Sequence, residues 1–170
     1  GLATAMLCKA MGADQVIAID VIDQRLQIAA DLQLCDHVLK ADPQNVQQVR
    51  DLTNGHGVER AIDCSAHHEA RATAIRATRK WGSIVMIGEG GTVAFNPSPD
   101  IIHDQKTIHG SWVTSIWKME ELVERIVRWN IRPEQLVTHR FALADVDKAY
   151  ALMATGQCGK VAVCFDEALA

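Results

Sequence analysis

Val16-Ile17-Ala18-Ile19 is a short, unbroken apolar run set between two stretches of helical periodicity, and the same alternation continues along the chain. A run this short with no polar interruption fits a strand buried on both faces, as in a parallel sheet. Before it, apolar side chains at positions 2, 3, 6, 7, 10 and 11 follow helical spacing, and Gly12 supplies a stop. After it, Asp23 is placed to cap a helix whose apolar face is Leu26, Ile28, Ala29, Ala30 and Leu32. The spacing then predicts a strand over Asp36–Leu39, a helix near 44–53, and a turn at Asn54-Gly55-His56-Gly57.

Val58–Cys64 reads as the next strand and Glu69–Arg79 as the next helix. Lys80-Trp81-Gly82 turns the chain into a strand over Ser83–Ile87, ended by Gly88. Residues 89–100 are rich in glycine and proline and read as a long functional loop. Thr107–Ser115 is β-rich and Met119–Trp129 is an amphipathic helix. Regular alternation of strand and helix gives a parallel sheet covered by helices on both faces, the doubly wound α/β class. No internal repeat is present. After Asn130-Ile131-Arg132-Pro133 the rhythm changes to a strand over Leu136–Phe141, a helix over Asp145–Thr155 and a strand over Lys160–Phe165. A boundary is therefore expected near 132, dividing 1–132 from a tail of 133–170.

Charge narrows the partners. A formal net charge of −4 argues against nucleic-acid or anionic-membrane surfaces, which need a basic excess. No apolar run approaches the roughly 20 residues that span a bilayer. The apolar opening Gly1–Cys8 lacks a basic segment in front and is interrupted by Lys9, unlike a secretory leader. The first residue is glycine, so the sequence reads as processed, tagged or cut from something longer. Five scattered cysteines (8, 35, 64, 158 and 164) form no C-x-x-C pair, which fits reduced thiols in a cytoplasmic protein.

The strand end at Asp20 carries a chemical signal. A dinucleotide-binding turn joins a strand to a helix through glycines, with an acid about 20 residues on. Here Asp20 lies nineteen positions after Gly1. Such a carboxylate accepts hydrogen bonds from the ribose hydroxyls and repels a 2′-phosphate, so the expected cofactor is NAD. The two earlier glycines of the fingerprint and the strand before them are not in this sequence. An acid that merely ends a strand remains the alternative.

Longer motifs add to this. Gly-Leu-Ala-x-Ala-Met-Leu-x-Lys-Ala-Met-Gly-Ala at the start, Val-Ile-Ala-Ile-Asp, and Arg25-Leu26 resemble the medium-chain, zinc-dependent alcohol and polyol dehydrogenases. So do Ala61-Ile62-Asp63-Cys64-Ser65, the segment Gly82–Gly88, Thr107–Trp112, His139-Arg140-Phe141, Ala149-Tyr150 and Gly156–Val161. The resemblance runs through nearly the whole chain. It implies a Rossmann-type doubly wound sheet lacking its first strand, followed by a carboxyl-terminal segment of the catalytic domain. It also implies cofactor roles, position by position. Gly1, with Leu2 after it, matches the last glycine of the phosphate turn, packing helix against sheet. Asp20 matches the ribose acid and Arg25 a base along the adenosine. Cys64 and Ser65 match a cofactor-lining pair, with Cys64 expected to be buried. Ile87, Gly88 and Glu89 match the segment that meets the nicotinamide carboxamide, supported by Ser111 and Val113. Lys160 matches a cation on the pyrophosphate.

In the resembled family the catalytic zinc is held by cysteine, histidine and acidic ligands of an amino-terminal domain that this sequence does not contain. No metal site is expected in its place: His67 and His68 open a helix as neighbours and are expected to point apart. His37, His56 and His103 are expected on the surface. The chain alone is therefore expected to lack alcohol dehydrogenase activity. Without a first strand, Lys160–Phe165 is a candidate to fill the gap. The β-rich segment 107–115, at a sheet edge, is expected to pair two copies into a homodimer. Two other readings stand beside this one: a non-catalytic nucleotide-binding or dimerisation remnant, and a methyltransferase, whose fold also places an acid after its second strand.

Overall fold

A computed structural model describes residues 1–166. In chain order it contains α1 (Leu2–Ala10), β1 (Ile17–Asp20), α2 (Asp23–Asp31), β2 (His37–Lys40) and α3 (Asn45–Leu52). Then come β3 (Val58–Asp63), α4 (His68–Ala77), β4 (Thr78–Met86), a π-helical turn at Ser98–Ile102, and β5 (Thr107–Gly110). The chain continues through α5 (Ile116–Arg128), a 3-10 turn at Pro133–Leu136, β6 (Val137–Ala142), α6 (Val146–Thr155) and β7 (Lys160–Cys164). The α/β alternation and the all-parallel pairing match the expected class: β1 pairs β2, β4 lies between β3 and β5, and β6 pairs β7.

The chain divides into two compact units, one of Gly1–Lys40 with the residues from Ser115 onward, the other of Ala41–Thr114. In the first, Ala5 and Met6 of α1 meet Leu34 and Leu136, with Leu2, Val16, Leu32 and Ile131 packed around them. Burying each large aliphatic side chain stabilises by roughly 1.5–3 kcal/mol. Asp36 ties this core to the surface, accepting the Val16 N–H at 2.6 Å and the Lys9 ammonium at 2.6 Å. In the second unit, Ile75 and Ile84 are fully buried between α4 and β4. Beside them the buried Lys106 donates to the Ile75 carbonyl at 3.0 Å and pairs with Asp104 at 3.0 Å.

Three expectations change. Lys160–Phe165 does not fill a gap beside β1 or β3: β7 runs Lys160–Cys164 and pairs with β6, from Val137↔Lys160 to Ala142↔Cys164. The helix α6 forms the crossover of a local βαβ unit, so β7 returns to its near neighbour in sequence. Asp23 is not a cap but the first residue of α2; the preceding Ile22 caps without a side-chain bond, and Asp23 instead pairs with Lys40 at 2.6 Å. The β-rich segment forms a strand only at Thr107–Gly110, and Val113 beyond it adopts φ +42°. Among the described residues β5 pairs only β4, so it is an edge strand.

Candidate functional site

In the first unit Asp20 is the last residue of β1, and its Oδ1 accepts the N–H of Ile22 at 2.9 Å. This two-residue side-chain turn starts α2 and fixes the carboxylate at the carboxyl end of the strand. Its Oδ2 lies 3.9 Å from Nη1 of Arg25, and the two side chains are 29% and 38% exposed. A carboxylate offers about four acceptor positions; with one hydrogen bond inside the chain, Asp20 keeps acceptor capacity for a diol. Gly156, at φ +71° after α6, approaches the same place: a Cβ there would lie 2.6 Å from Cδ1 of Ile22 and 3.0 Å from Nη2 of Arg25. The tail therefore approaches the Asp20–Arg25 pair at a left-handed position that favours glycine.

Other predicted residues of this unit do not join that cluster. Lys160 opens β7 with an exposed side chain, and its described contact is its own carbonyl, which accepts from the Thr138 hydroxyl at 3.4 Å. Gly1 caps α1 and its carbonyl accepts the Ala5 N–H at 2.9 Å. A Cβ on Gly1 would meet nothing within 4 Å. Leu2 packs against the Ala5–Met6 core.

In the second unit the organising residues are two that the sequence reading did not select. Asp63 ends β3 with its side chain 1% exposed, and its carboxylate accepts from Ser65 N–H at 2.9 Å, Ser65 hydroxyl at 2.7 Å, Ala66 N–H at 3.2 Å and Arg71 Nε at 3.0 Å. Burial by itself raises this carboxyl group, but the hydrogen bonds from Ser65, Arg71 and Ala66 outweigh it and hold it below its usual value of 3.8. Arg71 continues the network from α4, donating Nη2 to the Gly88 carbonyl at 2.6 Å. The Gly88 N–H in turn reaches the Asp63 carbonyl at 3.1 Å.

The loops after β3 and β4 are thus locked backbone to backbone. A Cβ at Gly88 would sit 2.4 Å from the Ala66 nitrogen, and one at Gly91 would sit 2.0 Å from the Ala66 carbonyl oxygen. Gly88 therefore does more than permit a turn: it lets two loops cross. Ser65 lies inside this lock, whereas Cys64, expected to be buried, is exposed. Side chains alternate along a strand, and Asp63 takes the inward position. Ile87 and Glu89 are exposed on either side of Gly88. Ser111 is held by its N–H to the Met86 carbonyl at 3.0 Å, and Val113 is 78% exposed.

The signal that could have found Asp63 and Arg71 is an acid at a strand end followed eight residues later by an arginine in the next helix. A groove of about 550 Å³ lined by Arg50, His56, Lys80 and Trp81 contains none of the predicted site residues. His67 and His68, expected to diverge, instead face each other with ring centroids 4.4 Å apart.

Residues 1–128 match the family model described as zinc-binding dehydrogenase. An uncharacterized zinc-type alcohol dehydrogenase-like protein of Escherichia coli K12 is 40% identical over 168 residues, covering 98% of this chain and 47% of that protein. An L-threonine 3-dehydrogenase of Bacillus licheniformis is 30% identical, covering 95% of this chain and 47% of its own length. A solved protein described as a short chain alcohol dehydrogenase from Escherichia coli CFT073, complexed with NADH, superposes with a TM-score of 0.83 at 23% identity, covering 96% of this chain and 49% of that one. The chain spans about half the length of the curated relatives it matches.

Proposed function

This chain belongs to the zinc-binding dehydrogenase family, and from that premise we propose that it is the NAD(H)-binding part of an alcohol or polyol oxidoreductase. The observation that carries the reading is the unsaturated Asp20 carboxylate at the carboxyl end of a parallel strand, where open α/β sheets bind ligands. Its free acceptors suit the adenosine ribose hydroxyls, and its charge disfavours the 2′-phosphate of NADP. Arg25 lies along the adenosine, and Gly156 keeps that wall closed. The same reading assigns Cys64, Ser65, Ile87, Gly88, Glu89, Ser111 and Val113 to the nicotinamide end, Gly1 and Leu2 to the phosphate turn, and Lys160 to the pyrophosphate.

Bound NAD supplies a hydride acceptor; the residues named here bind and orient it. The zinc ligands implied by the resemblance do not fit the residues present. The metal-capable cluster found among the described residues, His67, His68 and Glu69, contains no cysteine and so is not the cysteine-containing ligand set that the resemblance implies. We therefore propose that the 170-residue chain alone does not turn over an alcohol. We also propose a homodimer through the edge strand β5, checked by its mass in light scattering at micromolar concentration.

Calorimetric titration tests the cofactor reading. NAD is expected to bind more tightly than NADP, and Asp20→Ala is expected to weaken NAD and erase the preference. Equal binding of both cofactors by the unaltered chain would refute the role of Asp20, and binding of neither would refute the site.

A further inference from the structure

The turn that leads into α4 carries donors that the cofactor reading does not use. His67, His68 and Glu69 are all exposed, and one ligand atom from each lies within 4.8 Å of the other two. The two imidazoles already share a side, with centroids 4.4 Å apart and planes tilted by 33°. We infer that these three residues form a site for a divalent transition-metal ion.

The distances are those of an open site one small adjustment from closure. A tetrahedral ion with bonds of about 2.0–2.1 Å holds its ligand atoms roughly 3.4 Å apart. Closing from 4.8 Å needs movement of about 1 Å or more, within reach of side-chain rotation in exposed residues. Two imidazoles and one carboxylate select Zn²⁺, Co²⁺, Ni²⁺ or Cu²⁺; Mg²⁺ and Ca²⁺ prefer oxygen donors. Three protein ligands leave a position for water.

The backbone beneath the donors is already ordered. The His67 N–H donates to Ser65 Oγ at 3.1 Å, and the His67 carbonyl accepts the Arg71 N–H at 3.0 Å. Ser65 is itself fixed by the buried Asp63 carboxylate. Binding therefore orders only three side chains, which lowers its entropic cost. The amino end of α4 opposes a cation, and Glu69 in the first turn offsets that field.

The test is calorimetric titration of the tag-free, chelator-treated 170-residue chain with ZnCl₂. One ion per chain is expected. The double variant His67→Ala/His68→Ala is expected to lose affinity by about 10-fold or more, taking the cost of losing even an outer-sphere partner as a lower bound. Glu69→Gln, which leaves both rings in place, is expected to weaken binding as well, while His103→Ala leaves it unchanged. The Co²⁺-loaded chain should show a visible absorption band that disappears in the double variant. Absence of Zn²⁺ uptake by the unaltered chain would overturn the site. So would undiminished binding by the double variant or by Glu69→Gln, each checked for native circular dichroism.

Discussion

Replacing Arg71 with leucine tests whether the Asp63–Arg71 pair holds the second unit's loops in place. Arg71 is 7% exposed as a residue, and it joins the Asp63 carboxylate to the Gly88 carbonyl. Removing one partner of a buried ion pair costs roughly 3–5 kcal/mol, because the other charge is left behind. Asp63 keeps its bonds from Ser65 and Ala66 in the variant, which places the loss at the low end. The Gly88 carbonyl also loses a charged donor, a further term of about 1 kcal/mol. Leucine retains part of the packing, so the expected total is about 3 kcal/mol.

Because the chain has two compact units, a single global transition is the wrong readout. Amide hydrogen exchange across β3 and β4 reports the affected unit directly. A loss of 3 kcal/mol corresponds to an acceleration of about 100-fold or more. Arg76→Leu is the matched control: Arg76 pairs with Asp100 at 3.5 Å but is 49% exposed, and such pairs contribute about 0–1 kcal/mol. If Arg71→Leu changes exchange no more than Arg76→Leu, the pair does not organise the loops and the reasoning fails.

The acid limb of stability offers a second check. Asp63 is held below its ordinary 3.8 in the folded chain, so its contribution is present above that value and is lost as pH falls through the depressed one. Protection of β3 and β4 should fall more steeply below pH 3.8 in the unaltered chain than in Asp63→Asn, and parallel slopes would contradict the assignment. Gly88→Ala should destabilise by roughly 1–3 kcal/mol, since the added Cβ would lie 2.4 Å from a backbone nitrogen. Amide exchange across β3 and β4 left unchanged by that substitution would mean the two loops do not cross as described.

The continuous apolar run was legible as a strand, although β1 is only partly buried in the structure, with Ile19 38% exposed. Strand ends were less legible. Asp20 and Lys40 close β1 and β2 although both are polar, since the Asp20↔Lys40 register depends on backbone pairing and not on side-chain hydrophobicity. The sequence Lys80-Trp81-Gly82 reads as a turn, yet β4 begins at Thr78, which pairs Val58. The irregularity sits inside the strand as a bulge, with Trp81 at φ +54°. Of the proposed site, Asp20 was suggested by its spacing of nineteen positions from Gly1. The Asp63–Arg71 lock left only the weak signal of an acid at a strand end with an arginine eight residues on, because its geometry also involves Ala66 at φ +62°, which no residue preference for alanine announces.

Two acids end strands in this chain in the same local way. Asp20 accepts the N–H two residues on, at Ile22, and Asp63 accepts the N–H two residues on, at Ser65. Motif spacing alone separates them by distance from a glycine, which is a weak criterion. Acceptor capacity separates them on physical grounds. Asp63 is buried and its four described donors fill the roughly four positions a carboxylate offers, so a ribose could bind it only by displacing the network that holds Gly88. Asp20 has one such donor, a basic neighbour at 3.9 Å and an exposed edge. A diol gains hydrogen bonds there without breaking any. Identical turns therefore differ in saturation: Asp63 is a buried anion with its acceptors filled, and Asp20 keeps acceptors that suit the ribose role we propose for it.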